Sequence, residues 1–139
     1  MRNFEIHTPE VFFDLRIGKL CFQHTVSSKK EIQQLAGVFA DEAERDTAEF
    51  YWRMLGEGVI VCMDENGNSW AETMTPNSLH YIAGCVAHRV ANTGSEPLVF
   101  GACWHSGAGH DYETINKKGF SARLVEKDGK PVLIKSTQL

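Results

Sequence analysis

Frequent turn signals divide the chain into short segments, and this punctuation limits the possible fold more than any other feature of the sequence. Glycine, proline, asparagine and aspartate favour tight turns because of their backbone preferences and side-chain hydrogen bonds. Short segments between regular turns are typical of an all-β sandwich or barrel. The clearest turns are Leu55-Gly-Glu-Gly58, Asp64-Glu-Asn-Gly-Asn68, Thr75-Pro-Asn-Ser78, Asn92-Thr-Gly-Ser-Glu-Pro97 and Lys127-Asp-Gly-Lys130.

The segments between these turns are rich in residues that favour strands. Two other stretches predict short helices: Pro9–Leu15, and Asp111–Lys118 with Asp111 as N-cap and Gly119 as the residue that stops the helix. The predicted strands are Glu49–Leu55, Gly58–Met63, Trp70–Met74, Ser78–Ala83, His88–Ala91, Leu98–Trp104 and Ser121–Glu126.

Size, charge and cysteine spacing narrow the class of protein. A chain of 139 residues predicts one domain, residues 1–139. Its net charge of −4 argues against a nucleic-acid partner, because such proteins usually carry a basic patch. No apolar run reaches the roughly 20 residues that a membrane span requires. The lack of a signal-peptide pattern and of any CxxC spacing predicts a cytoplasmic protein with buried, reduced thiols.

The segment that begins at Glu49 shows the alternation of a half-buried strand. Glu49, Tyr51 and Arg53 fall on one face, and Phe50, Trp52 and Met54 fall on the other. If the polar face lines the interior of a barrel, the apolar face needs a cover. A second subunit would supply it and predicts a homodimer, while the N-terminal segment is the alternative cover.

Two spacings match the motifs of the cupin barrel. Glu49 and Gly56 fit E-(x)6-G, and His88 and Asn92 fit H-(x)3-N. Asn77, Ala83 and Cys85 stand where the second cupin motif has Gly, Pro and Gly, and Asn tolerates positive φ well. We therefore predict an all-β cupin, a double-stranded β-helix or jelly-roll barrel, with one or two short helices.

Longer segments resemble the cupin-type glucose-6-phosphate isomerase family, which is found chiefly in archaea. The resemblance covers about 90 to 100 residues, roughly from Gly37 to Val132, and its last segment is particular to that family. The matching segments are Glu49-x-Tyr51 with Leu55-Gly-Glu-Gly58, Ala87-His-Arg89, Asn92-Thr-Gly-Ser-Glu-Pro-Leu-Val-Phe100, and Ala108-Gly-His-Asp-Tyr112 with Lys118-Gly-Phe-Ser121.

The resemblance implies a metal-dependent enzyme that interconverts glucose 6-phosphate and fructose 6-phosphate. In the family, three histidines and one glutamate hold a divalent metal, for which iron and manganese are candidates. Glu49 matches the glutamate, as ligand or catalytic base, and His88 matches the third histidine. Tyr51 and His110 match pocket residues at the substrate, and Trp104 stands where the family has a tyrosine.

The sequence departs from the family at the other two histidines. Gly37-Val-Phe-Ala40 takes the place of Gly-His-Phe-His, which leaves Glu49 and His88, and two protein ligands make a weak metal site. Counting back from Glu49 without a gap puts the two missing histidines at Ala40 and Glu42, and the general cupin spacing puts them at Glu42 and Glu44. Such an oxygen-rich set would suit manganese, magnesium or calcium, whereas the alternative is a solvated acidic loop.

A substrate phosphate or carboxylate has two candidate binding groups in the sequence. Arg53 shares a strand face with Glu49, so it would either grip an anion or pair with that carboxylate, with a salt bridge at the rim as the alternative. The second group is a polar run, with a solvated loop as its alternative. It comprises Thr25, Ser27, Ser28, Lys29 and Lys30.

Three functions remain open from the sequence. The first is a sugar-phosphate isomerase with a rebuilt metal site. The second is a metal-free cupin that binds a sugar or sugar phosphate and has lost isomerase activity, as the missing histidine pair would suggest. The third is a cupin enzyme that acts on another small sugar by acid–base chemistry.

Overall fold

Strands make up almost all the regular structure of the described residues. A computed structural model describes residues 2–7, 10–27, 31–33, 39–40, 48–105, 109–110 and 117–135. The strands are β1 Arg2–Asn3, β2 Glu5–His7, β3 Glu10–Ile17, β4 Leu20–Ser27, β5 Glu31–Gln33, β6 Phe39–Ala40, β7 Glu49–Leu55, β8 Gly58–Met63, β9 Ser69–Met74, β10 Leu79–Ile82, β11 Ala87–Asn92, β12 Leu98–His105, β13 Gly109–His110, β14 Ala122–Lys127 and β15 Lys130–Lys135.

Two five-stranded sheets enclose the main core. Their strand orders are β10-β7-β12-β4-β3 and β2-β5-β11-β8-β9. Apolar side chains from both sheets meet between them, which is how the alternating strands of a jelly roll bury one face each. The described residues thus confirm the predicted all-β cupin barrel. The buried cluster consists of Tyr51, Ile60, Cys62, Met74, Ile82, Val90, Leu98, Phe100 and Ala102.

A smaller sheet, in the order β1-β14-β15, covers the outside of the second large sheet. Leu124 from β14 packs there against Val59 and Val61 of β8. Strand β8 is buried at every position, because the main core covers one of its faces and β14 covers the other. This double burial explains its uninterrupted apolar sequence, Gly-Val-Ile-Val-Cys-Met.

The predicted strands between residues 49 and 126 are confirmed. The boundaries of β7 and β8 agree with the prediction to the residue, and the others differ by one or two residues, as strand ends usually do. Asn77 (φ 63°) and Cys85 (φ 62°) adopt the left-handed conformation at two positions where the cupin motif has glycine. The barrel thus keeps these turns with residues that pay some strain to form them.

The prediction of a helix over Pro9–Leu15 is wrong. Residues Glu10–Ile17 form β3, which pairs with β4 in an antiparallel hairpin that ends at Ile17 and Leu20. Gly18 has φ 59° at the first position of the connecting turn, where glycine favours a tight hairpin. The hairpin gives Glu10–Ile17 backbone partners in a sheet, and this outweighs a local pattern too short to form a stable helix.

Only the end of the second predicted helix lies within the described residues. Lys117 and Lys118 have helical backbone, and Gly119 follows with φ 70°, as a helix-stopping glycine should. Residues 111–116 lie outside the described residues. None of the described residues belongs to a helix long and apolar enough to cross a membrane.

Candidate functional site

Glu49, Tyr51 and His88 come together inside the barrel. Glu49 and Tyr51 lie two residues apart on β7, so strand alternation turns both side chains inward, while His88 reaches them from β11 in the facing sheet. The Nε2 atom of His88 lies 2.9 Å from Oε2 of Glu49 and 3.2 Å from the hydroxyl of Tyr51. Glu49 and His88 are each only 2% exposed, so water does not compete for these contacts.

A backbone carbonyl sets the orientation of the His88 ring. The Nδ1 atom lies 3.1 Å from the carbonyl oxygen of Val86, and because a carbonyl only accepts, Nδ1 must carry the proton. In the neutral ring, Nε2 then holds a lone pair that faces Glu49 and Tyr51. Metal-binding histidines are commonly oriented in this way, with the nitrogen that does not bind the metal donating to a carbonyl.

The Glu49 carboxylate needs a positive partner at this position. Its Oε2 atom is buried and forms no hydrogen bond among the described residues, although it lies within ion-pair distance of His88. An acceptor oxygen and a nitrogen lone pair repel each other at this distance unless a proton or a metal cation lies between them. The pair is therefore suited to hold a cation or to transfer a proton.

Trp104 lies beside this pair, on the neighbouring strand. Its backbone is in register with Glu49 across the β12–β7 ladder, and its half-buried side chain packs against the main core. The predicted site residues Glu49, Tyr51, His88 and Trp104 therefore occupy one region of the barrel. The Val86 carbonyl is the member that sequence reasoning missed, because no residue pattern marks a backbone acceptor.

Arg53 lies at the other end of β7, away from Glu49. Four residues of extended strand separate the two Cα atoms by about 13 Å. The Nε atom of Arg53 donates to the carbonyl oxygen of Gly56 in the turn after the strand. Arg53 also lines a cavity of about 520 Å³, which includes Glu96 and Pro97. The structure does not bring Arg53 to Glu49, and its role with substrate stays a prediction.

The remaining predicted residues are described in part or not at all. His110 belongs to β13, whose backbone pairs with Phe39 of β6, and nothing is described of its side chain. Thr25 and Ser27 are buried on β4. Glu42, Glu44, Ser28, Lys29 and Lys30 lie outside the described residues. Across the described ranges, no three or more His, Cys, Asp or Glu side chains gather closely enough to hold a metal ion.

Comparison with solved structures shows the fold. The oxalate decarboxylase of Bacillus subtilis, a cupin, superimposes with a TM-score of 0.63 over 81% of this chain and 30% of that one. Only 13% of the residues are identical, so this similarity concerns the fold alone.

Comparison of sequences shows the family. Glucose-6-phosphate isomerases of Thermococcus onnurineus and Pyrococcus horikoshii are 39% and 40% identical to this chain over 87 residues, which is 63% of its length. The chain spans about half the length of these relatives, since the match covers 46% of each. A sequence model of the family described as "Glucose-6-phosphate isomerase (GPI)" matches residues 30–138. The chain therefore belongs to the glucose-6-phosphate isomerase family.

Proposed function

We propose that this protein is an aldose–ketose isomerase that interconverts glucose 6-phosphate and fructose 6-phosphate. One observation carries the proposal: the buried Oε2 atom of Glu49, which forms no hydrogen bond among the described residues, faces an oriented imidazole that also contacts a tyrosine hydroxyl. The names of the related enzymes support this choice of reaction and of sugar phosphate as substrate.

The chemistry requires movement of one hydrogen between C1 and C2 of the sugar. In the proposed reaction, the Glu49 carboxylate removes a proton from one carbon and returns it to the other by way of an enediol. The Tyr51 hydroxyl and His88 Nε2 lie 3.2 Å apart in the barrel interior, where, without a metal on Nε2, both would hold or exchange the protons of the substrate oxygens. Burial of the site excludes water, which would otherwise compete for these hydrogen bonds.

A divalent metal fits the donor atoms of this site. We propose that Glu49 Oε2 and His88 Nε2 hold it, with Glu42 as the candidate for a further ligand. The structure of a B. subtilis oxalate decarboxylase with Mn(II) centres supports manganese as one candidate for a barrel of this kind, and iron is the other. When bound, the metal would polarise the substrate oxygens on C1 and C2, the two carbons between which the hydrogen moves, and would favour a hydride shift as an alternative route.

The test is conversion of fructose 6-phosphate to glucose 6-phosphate by purified protein. After chelator treatment, activity is measured with no metal, with iron(II) and with manganese(II). We expect turnover that depends on metal and is lost in Glu49→Gln, while Glu65→Gln, an exposed carboxylate in a turn, retains it. Full activity in folded Glu49→Gln would show that this pocket is not the active site. Tight binding of the sugar phosphate without turnover would favour the metal-free binding protein.

We further propose that two copies associate through the outer face of the sheet that contains β7. Leu79 and Tyr81 of β10 are 64% and 60% exposed there, and Phe50 packs edge-on against Tyr81. Among the described N-terminal strands, β1, β2 and β3 each lie at the edge of a sheet. Further exposed apolar side chains on strands of this sheet are Leu15, Ile17, Leu20 and Met54.

The test of this association is the mass in solution measured by light scattering. We expect a dimer that becomes monomeric in Leu79→Glu, because a charge in an apolar interface is costly to bury. Val132→Glu places the same charge at an exposed position of β15 and should leave the dimer intact. A monomeric wild type would refute the proposal.

We also propose a cytoplasmic location, which the four free cysteines support.

A further inference from the structure

A second polar cluster lies near the turn that joins β9 to β10, and its members are not part of the site above. The Oγ atom of Ser78 lies 2.8 Å from Nε2 of His80, and Nδ1 of His80 lies 3.1 Å from Oε1 of Glu72. The second carboxylate oxygen of Glu72 accepts a hydrogen bond of 3.1 Å from the indole of Trp70. Serine, histidine and glutamate are thus joined in the order that nucleophilic catalysis uses.

The fold brings these residues together from two sheets. Glu72 lies on β9, at the edge of one large sheet, and His80 lies on β10, at the edge of the other. Ser78 directly precedes β10, and its hydroxyl reaches the ring of His80 two residues further along the chain. His80 is buried, whereas Ser78 is half-buried beside the exposed residues 75–77. The serine is therefore accessible while its partner is shielded from water.

The hydrogen bonds determine which atom is basic. The Glu72 carboxylate accepts only, so the ring nitrogen that faces it, Nδ1, carries a proton, and Nε2 of a neutral His80 is an acceptor for the hydroxyl of Ser78. The hydroxyl hydrogen has a second acceptor in the carbonyl of Thr75, 2.7 Å away. The amide of Thr75 donates to Oγ over 3.0 Å and would stabilise negative charge that develops there.

We propose that Ser78 is an activated nucleophile that takes an acyl group from small carboxylic esters. The Oγ atom bonds to the ester carbonyl carbon as its proton moves to Nε2 of His80. The bond to the alkoxy group then breaks, and the proton passes to the departing alcohol. Water releases the acid in the second step and restores Ser78. His80 is the general base, and Glu72 is a positioning residue that fixes the tautomer of His80.

The test uses p-nitrophenyl acetate, because acylation releases coloured p-nitrophenolate and leaves an acetyl group on the protein. Mass spectrometry of the digested protein identifies the residue that carries this group. Wild type should acquire one acetyl group on Ser78, and Ser78→Ala should lose it. Ser95→Ala removes a different exposed serine and should leave acylation unchanged. Removal of a general base typically lowers the rate by about 100-fold or more, and this is the loss expected in His80→Ala.

Chemical rescue separates a catalytic role of His80 from a structural one. Added imidazole should restore acylation of Ser78 in His80→Ala, because it can replace the missing base, whereas it would not repair a misfolded turn. Glu72→Gln should slow acylation while keeping Ser78 as the acylated residue. Acetylation of wild type only at other residues, or a rate on Ser78 that does not depend on His80, would overturn the proposal.

The ester test does not depend on the proposed isomerase. In the Glu49→Gln variant, Ser78 should be acetylated at the wild-type rate. The Ser78→Ala variant should isomerise sugar phosphate at the wild-type rate. A loss of both reactions in either variant would contradict the assignment of two separate sites.

Discussion

Asn92 offers a direct test of what the H-(x)3-N spacing contributes to the barrel. Its side chain is fully buried and forms three hydrogen bonds to the backbone. The amide nitrogen donates to the carbonyls of Ser27 and Glu96 at 2.9 and 3.0 Å, and the amide oxygen accepts from the N–H of Gly94 at 3.0 Å. One side chain thus ties the end of β11 to β4 and to the following loop.

The substitution Asn92→Ala removes all three bonds. A net contribution of about 1 kcal/mol for each hydrogen bond predicts a loss of about 3 kcal/mol in the free energy of unfolding. Water can reach the Glu96 carbonyl, since that residue is exposed, but the Ser27 carbonyl is left in a buried region. The Ser27 carbonyl and the N–H of Gly94, which is also buried, are the two partners that solvent cannot replace.

The measurement is urea unfolding followed by the fluorescence of the three tryptophans, at fixed protein concentration. With a slope near 2 kcal/mol per molar urea, a loss of this size moves the midpoint by about 1.5 M. The control is Asn68→Ala, because Asn68 donates to Asp64 over 3.0 Å at an exposed turn. That change should cost less than about 1 kcal/mol. Equal losses at the two asparagines would refute the reasoning.

Three further changes test the turns and the core. Gly56→Ala should lower the free energy of unfolding by more than about 2 kcal/mol, because Gly56 has φ 84° and a Cβ there would overlap the backbone of Pro97. Gly129→Ala should lower it by only about 1 kcal/mol, because Gly129 has φ 73° but open space around it. Equal thermal shifts in the two alanine variants would contradict the overlap. Phe100→Ala should lower the free energy of unfolding by about 3–5 kcal/mol in the same urea assay, because Phe100 is the largest fully buried side chain among the described residues. A loss below about 1 kcal/mol would contradict its burial. Burial raises the pKa of the Cys62 thiol to about 12, so at pH 9 iodoacetamide should spare it until urea unfolds the chain, and rapid alkylation of the folded protein would contradict this.

The parts of the fold that could be predicted are those flanked by strong turn residues. β7 and β8 lie on either side of the Gly56 turn, and the alternation of β7 correctly separates buried Glu49 and Tyr51 from exposed Phe50. The hairpin of β3 and β4 was missed, because its connection offers only Gly18 and Lys19 as a signal, and pairing between strands decides the structure there.

The site could be predicted in its residues but not in its geometry. The motif spacings identified Glu49 and His88, yet the distance between them depends on how two facing sheets pack. Alternation predicts which face of a strand a side chain is on, but not which other side chains it reaches. Arg53 shares a strand face with Glu49 but lies at the other end of β7, out of reach of that carboxylate. The cluster of Ser78, His80 and Glu72 could not be predicted for the same reason, because the edges of two separate sheets bring these residues together.

The two ends of β7 have different tasks, and this division bears on how the protein could change over time. Directly after one end, Gly56 lies against the backbone of Pro97, and a larger residue there would destabilise the fold. At the other end, Glu49 contributes a carboxylate whose Oε2 atom forms no hydrogen bond within the part of the chain that the structure describes. Chemistry can therefore be rewritten at the Glu49 end without loss of the barrel. A lineage that exchanges its metal-binding histidines for other residues keeps a folded scaffold on which a new reaction can be selected.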